Sequence, residues 1–189
     1  MFQIKRVFDL LLATCAMLAL GPLLFLIAVT VRLTSPGPAL YWSDRVGRNN
    51  ELFQMPKFRS MRMGTPTLDT HLLGNPGNYL TPIGSFLRKS SLDELPQIWS
   101  ILKGDMSFVG PRPALFNQID LIKSRSIEGV HVLTPGLTGW AQVNGRDELS
   151  IPDKVALDVE YLRRRSVLFD FKIIFLTVLK VFRQDGVSH

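Results

Sequence analysis

The chain has 189 residues, enough for one domain with a modest core. A hydrophobic share of 46%, a mean hydropathy of +0.16 and a formal net charge of +6 together point to an anionic partner: a membrane surface, nucleic acid or a phosphorylated substrate. The single Cys15 excludes an internal disulfide, and the scattered His71, His131 and His189 lack zinc-ligand spacing.

Val7 to Val31 is almost continuously apolar, broken by Asp9 and by Gly21-Pro22. The length and Asp9 argue against a cleaved signal peptide. A buried core helix this long would dominate so small a domain. A spanning helix has the length, about 20 apolar residues. However, Lys5 and Arg6 precede the run and Arg32, Arg45 and Arg48 follow it, so both ends favour the cytoplasmic side. Pro22 kinks a helix at mid-run. Each arm is then roughly 15–21 Å long at 1.5 Å per residue, short of a hydrocarbon core about 30 Å thick. The segment 1–34 therefore reads as a re-entrant helix–break–helix that dips in and returns, and 35–189 as a cytoplasmic globular domain.

Ser35-Pro36-Gly37-Pro38 is a turn. Ala39 to Trp42 reads as a short strand or an interfacial anchor, with Tyr41 and Trp42 at headgroup level. Arg45, Arg48, Lys57, Arg59 and Arg62 follow, a basic face that suits anionic headgroups. Gly64 to Tyr79, rich in Gly, Pro and Thr, reads as a mobile loop. Leu80 to Arg88 reads as a short helix capped by Thr81 with Pro82 at its first position. It delivers Arg88 close to Asp93.

The stretch Arg88 to Pro113 organises the rest. It sets Asp93 and Glu94 between Arg88 and Lys89 on one side and Lys103 and Arg112 on the other. Phosphate chemistry needs this mixture: cations to hold the substrate, and a carboxylate to attack or to hold a metal. Ser91 and Glu94 also fit a capping box, and Leu92, Leu95, Ile98, Trp99 and Leu102 look like one buried helical face. The box explains Glu94 but neither Asp93 nor Pro111-Arg112-Pro113. Pro96 suits a first turn, which puts both carboxylates at a helix mouth. Prolines on both sides of Arg112 hold it for a bidentate grip on phosphate.

Ala114 to Ser126 reads as an amphipathic helix. Glycines at 136, 139 and 145 allow tight turns and close approach to a ligand. Trp140 reads as a core or interface residue rather than a nucleobase platform. Asp153 to Arg165 reads as a helix with Asp158 and Tyr161 on one face. Apolar 166–183, preceded by Arg163-Arg164-Arg165, reads as a helix lying at an anionic membrane surface. The fold class is mainly α with minor β (α+β).

Three segments resemble the bacterial sugar transferases known as monotopic phosphoglycosyl transferases. They are Asp93-Glu-Leu-Pro-Gln97 with Leu102-Lys-Gly-Asp-Met-Ser-Phe-Val-Gly-Pro-Arg-Pro113, Lys57-Phe-Arg-Ser-Met61, and Leu133 to Arg146. The resemblance covers nearly the whole chain. It implies transfer of a phospho-sugar from a UDP-sugar to a polyprenol phosphate such as undecaprenyl phosphate. It also implies the re-entrant topology, often with Ser-Pro at the break where this chain has Gly21-Pro22. Asp93 is then the nucleophile of a ping-pong route, and Glu94 positions Mg2+ together with Asp93 or acts on the lipid phosphate. Lys57, Arg59, Arg88, Arg112 and Arg146 are the candidate phosphate contacts. A non-enzymatic basic membrane anchor would explain the charge and the apolar ends without requiring Asp93. A nucleic-acid module would not need a membrane segment.

Overall fold

The computed structural model describes residues 2–66, 76–145 and 148–183. It is mainly helical with short strands, the class expected. Helix α1, Phe2–Thr34, contains Pro22. Helix therefore continues through Gly21-Pro22, where the sequence predicts an interruption. A proline removes one N–H and crowds one turn, and the leucines on both sides keep helical geometry beyond it.

One stripe of α1 packs on the rest of the chain almost from end to end. Ala13, Ala16, Met17 and Leu20 meet Met55, Ile98, Ile101 and Met106. Leu24, Ile27, Ala28 and Val31 meet Phe58 and Leu87. The spacing is that of one helix face. Leu11, Leu18, Phe25, Leu26 and Leu33 stay exposed.

Polar clamps hold both ends of α1. Arg6 donates to the carbonyls of Ile101 and Leu102 at 2.5 and 2.8 Å, and Asp9 accepts from the Phe108 amide at 3.1 Å. Lys5 pairs with Asp170 at 2.5 Å. At the other end Arg32 donates to the Gly37 carbonyl within the turn that follows, and Arg59 donates to the carbonyls of Ser35 and Pro36.

β1, Leu40–Val46, pairs antiparallel with β2, Leu52–Phe58. Then come α2, Gly84–Lys89, a 3₁₀ turn Leu92–Gln97, and α3, Ile98–Lys103. β3, Ser107–Val109, pairs parallel with β5, Gly136–Thr138, while β4, Ala114–Leu115, adds to β1. The expected helix over Ala114 to Ser126 is thus a short strand followed by α4, Ile119–Ile127. α5, Trp140–Val143, leads to α6, Ile151–Arg164, and α7, Val167–Arg183. α6 is capped by the Ser150 hydroxyl, which accepts from the Asp153 amide.

One expectation for the middle of the chain changes. Thr81 does not cap α2; its hydroxyl donates to the Ser60 carbonyl, and α2 starts at Gly84. A Cβ at position 84 would collide with that same carbonyl, so glycine lets α2 sit against the end of the hairpin. Residues 67–75 of the expected loop lie outside the described residues.

A second core joins Val109, Val130, Leu133, Val143, Tyr161, Phe169 and Ile173. Its opposite side leaves Leu168, Phe171, Phe175 and Val178 of α7 exposed at helical spacing. The Phe171 ring meets Phe8 of α1 edge-on at 5.0 Å, so the exposed apolar faces of α1 and α7 adjoin.

Candidate active site

α2 ends beside Ser90, and Ser91 then adopts φ +56°, ψ +15°. A serine in the left-handed region is strained, and here it swings the chain into the 3₁₀ turn that carries Asp93 and Glu94. Ser91 makes no side-chain cap, so the capping box is not formed. Its backbone conformation differs from the extended one that a cap requires. Pro96 lies inside the 3₁₀ turn and α3 begins two residues later. Of the expected buried face, Ile98 is fully covered, whereas Trp99 is half exposed.

Glu94 is the hub of the charge cluster. Its Oε1 accepts from Lys57 Nζ at 2.8 Å and from Arg112 Nη2 at 2.8 Å, while Arg112 Nη1 lies 3.5 Å from Oε2. Lys57 projects from β2, Glu94 from the 3₁₀ turn, and Arg112 from the loop between β3 and β4. Asp93, 8% exposed, lies beside them. Burial raises its carboxyl from 3.8 to about 6; the charge of Glu94 adds to this, while Lys57, Arg88 and Arg112 oppose it. Burial also pulls the Lys57 ammonium below its ordinary range, against the pull of Glu94. A carboxylate poised near neutrality among cations suits attack on a phosphorus.

Among the described residues, no group of three or more His, Cys, Asp or Glu side chains is placed to hold a metal. Magnesium usually takes one or two carboxylates and completes its shell with phosphates and water. Asp93 fits such a role. Glu94, the other carboxylate expected as a ligand, does not in this arrangement, because Lys57 and Arg112 already neutralise it.

The loop bearing Arg112 is held at successive carbonyls. The Gly136 amide donates to Pro111 O at 2.9 Å, Arg125 Nη1 to Arg112 O at 2.8 Å, and Arg45 Nη1 to Pro113 O at 3.2 Å. Gly110 and Gly136 pass so closely that a Cβ on either would strike the other strand's backbone. Arg125 is itself held by Asp158 Oδ2, at 2.9 Å from Nε and 2.7 Å from Nη2. Burial pushes the Asp158 carboxyl up, and Arg125 opposes that shift.

The structure thus brings together Asp93, Glu94, Lys57, Arg88 and Arg112. Arg59 is elsewhere. It is buried, and it donates to the carbonyls of Pro36 and Ser35 at 2.6 and 2.8 Å and to the Ser35 hydroxyl at 2.6 Å. It fastens the turn after α1 and does not face the carboxylates. Arg146 lies outside the described residues. Trp140 packs tilted on Phe169 at 5.1 Å and donates to Glu160 at 2.8 Å, a core-edge position as read from the sequence. Sequence reasoning missed Arg125, and it placed Asp158 on a face without giving it a partner. The available signal was Asp158 on a face shared with Val155 and Tyr161, since a buried carboxylate needs a cation.

On the α1 side of this region lies an apolar cleft of about 370 Å³. Its walls are Met17, Leu24 and Ala28 of α1, Trp42 of β1, Phe58 of β2, Pro96 of the 3₁₀ turn and Trp99 of α3. The size is within the range of ligand sites.

The bacterial sugar transferase family model matches residues 1–184, and the chain belongs to that family. It is 43% identical over 188 residues to the UDP-glucose:undecaprenyl-phosphate glucose-1-phosphate transferase of Escherichia coli K12, covering 95% of this chain and 40% of that protein. It is 43% identical over 185 residues to the undecaprenyl-phosphate glucose phosphotransferase of Komagataeibacter xylinus, covering 92% and 35%. It is 38% identical over 197 residues to the exopolysaccharide production protein ExoY of Sinorhizobium fredii, covering 96% and 87%. The chain therefore spans well under half the length of the first two relatives and most of the third.

Proposed function

We propose that the chain transfers a sugar phosphate from a UDP-sugar to undecaprenyl phosphate, giving undecaprenyl-diphosphate-sugar and UMP, early in the synthesis of an exopolysaccharide or related glycoconjugate. The observation that carries this reading is the buried Asp93 beside the Glu94–Lys57–Arg112 cluster, within the longest motif shared with the family. Asp93 attacks the phosphorus that bears the sugar. The bond from that phosphorus to UMP breaks, and an aspartyl phospho-sugar forms. A phosphate oxygen of the acceptor then attacks the same phosphorus and releases the Asp93 carboxylate, so no proton is gained or lost. Lys57, Arg88 and Arg112 offset charge on the phosphates in both steps, and Arg146 belongs with them. Glu94 keeps Lys57 and Arg112 aligned until phosphate competes for them. Asp93 and the substrate phosphates would hold magnesium, which would supply further neutralisation of phosphate charge. The names of the first two relatives make UDP-glucose the first donor to test.

The polar clamps on Lys5, Arg6 and Asp9 at one end of α1, and that of Arg59 on Ser35 and Pro36 just after the other, tie both ends to one body. A helix that crossed a bilayer could not keep both sets of contacts. This supports a monotopic placement on the cytoplasmic face, in which α1 enters and returns by bending at Pro22 without a break, with the adjoining apolar faces of α1 and α7 toward lipid. The apolar cleft beside the site suits the acceptor's prenyl chain.

The deciding experiment is UMP release from UDP-sugars by purified protein with undecaprenyl phosphate and magnesium. A burst of UMP before acceptor is added, absent in Asp93→Asn, is expected. Release unaffected by Asp93→Asn removes the nucleophile assignment, and no release by folded protein with any donor removes the transferase reading in favour of a membrane anchor.

A further inference from the structure

We propose that Arg125 and Asp158 are positioning residues for the donor site, acting on Arg112 through its backbone. This rests on the reading that Arg112 grips a donor phosphate. The geometry is a relay across three elements. Asp158 of α6, 1% exposed, holds the Arg125 guanidinium of α4 at 2.9 and 2.7 Å. A remaining nitrogen of that guanidinium donates to Arg112 O at 2.8 Å. The Arg112 side chain then meets Glu94.

A buried ion pair is poor evidence of stabilisation, because an apolar pair of similar volume commonly serves as well. The seam around this pair is already apolar, with Ala114, Leu121 and Val155 packed together. An apolar pair could not donate to the Arg112 carbonyl. That carbonyl matters because Pro113 confines residue 112 to extended conformations and leaves the tilt of the 112–113 peptide as its main freedom. The carbonyls of Pro111 and Pro113 are fixed by Gly136 and Arg45. Arg125 fixes the one between them. Asp158, by binding two nitrogens of the fork, aims the third. A guanidinium set from its own backbone meets phosphate without a search, whereas a misplacement of about 1 Å can cost on the order of 100-fold.

The test is a double-mutant cycle in the full chain, read by kcat/KM for UDP-glucose in the UMP burst and by melting temperature. The combined variant Arg125→Met, Asp158→Leu replaces the ion pair with an apolar one. It should lower kcat/KM about tenfold, mostly through KM, when Arg112 is present. In the Arg112→Ala background the same replacement should cost less than about twofold, because its effect passes through Arg112. Arg125→Lys gives a second cycle that remains readable if the apolar pair disturbs folding, since one ammonium cannot reach Asp158 and the carbonyl as a fork does. Equal losses in both backgrounds overturn the proposal and leave a structural ion pair. Failure of the unsubstituted protein to release UMP overturns the catalytic reading and this proposal with it; release with equal losses overturns this proposal alone.

Discussion

Arg112 and Arg59 come from equally family-like segments, yet the chain uses them in opposite ways. Arg112 points its guanidinium at a carboxylate, Glu94, and its own backbone is held from behind. Arg59 directs its nitrogens at the carbonyls and hydroxyl of the turn after α1. A carboxylate partner can be exchanged for a phosphate, because both are anionic forks of similar shape. Backbone carbonyls cannot, because stripping them leaves buried acceptors unsatisfied. The partner of a buried arginine, more than its burial or its motif, separates a site residue from a fastening.

The largest effect that would break this contrast is at the centre of the cluster. Asp93→Asn should reduce the UMP burst by at least about a thousandfold while leaving the melting temperature nearly unchanged, since it removes a nucleophile and keeps the shape. Next, Arg112→Ala should lower kcat/KM for the donor by about 100-fold. Arg59→Ala should instead lower stability by about 1–3 kcal/mol through the unsatisfied buried Ser35 carbonyl, with kinetics of the remaining folded protein changed less than about threefold. A kinetic loss at Arg59 as large as at Arg112 would erase the distinction.

The pH profile sharpens it. Burial raises Asp93 from 3.8 to about 6, so the nucleophilic form is lost as pH falls through about 6. Donor kcat/KM should drop about tenfold per pH unit below that value. The stability sign is the reverse. The folded chain holds this proton more tightly than the unfolded chain, so the group's contribution is fully present at pH below 3.8 and is lost as pH rises through about 6. An acid limb near pH 4 would mean that the carboxylate is not desolvated as the structure has it.

The sequence carries Asp93, Glu94 and Arg112 openly, because one continuous motif holds all three. Lys57 is legible only by resemblance, since nothing local says which element lies opposite Glu94. The two cations Lys57 and Arg59 stand at strand spacing, and a continued β2 would turn both to one face. The assigned strand ends at Phe58; the Arg59 amide still donates to Ala39 O at 2.9 Å, while its side chain meets the turn after α1. Arg125 and Asp158 are 33 residues apart and join only because α4 packs on α6. Gly21-Pro22 reads as a break because proline is a strong local signal, yet one lost hydrogen bond does not end a long apolar helix. The Arg6 and Asp9 clamps at the first end of α1 depend on carbonyls and an amide of α3 and β3, which no periodicity reveals.

Topology offers a more graded test. With Cys15 replaced by Ser, single cysteines at Gln3 and at Asn50 should both be shielded from an impermeant thiol reagent outside intact cells. Labelling at one position only would mean that α1 crosses the membrane and that its polar clamps do not persist there.

The smallest effect lies at Ser91. Its φ of +56° places a side chain where glycine would carry no penalty. Ser91→Gly should leave both the UMP burst and the melting temperature nearly unchanged, because relief of strain offsets the greater freedom of the unfolded chain. Ser91→Val should cost about 1–2 kcal/mol, since a β-branched residue resists that conformation. If the turn before Asp93 is what aims the carboxylate, the valine variant should also slow the burst at temperatures where it remains folded. A burst that stays at full rate in folded Ser91→Val would show that Asp93 is aimed by its charged neighbours and not by the backbone that delivers it.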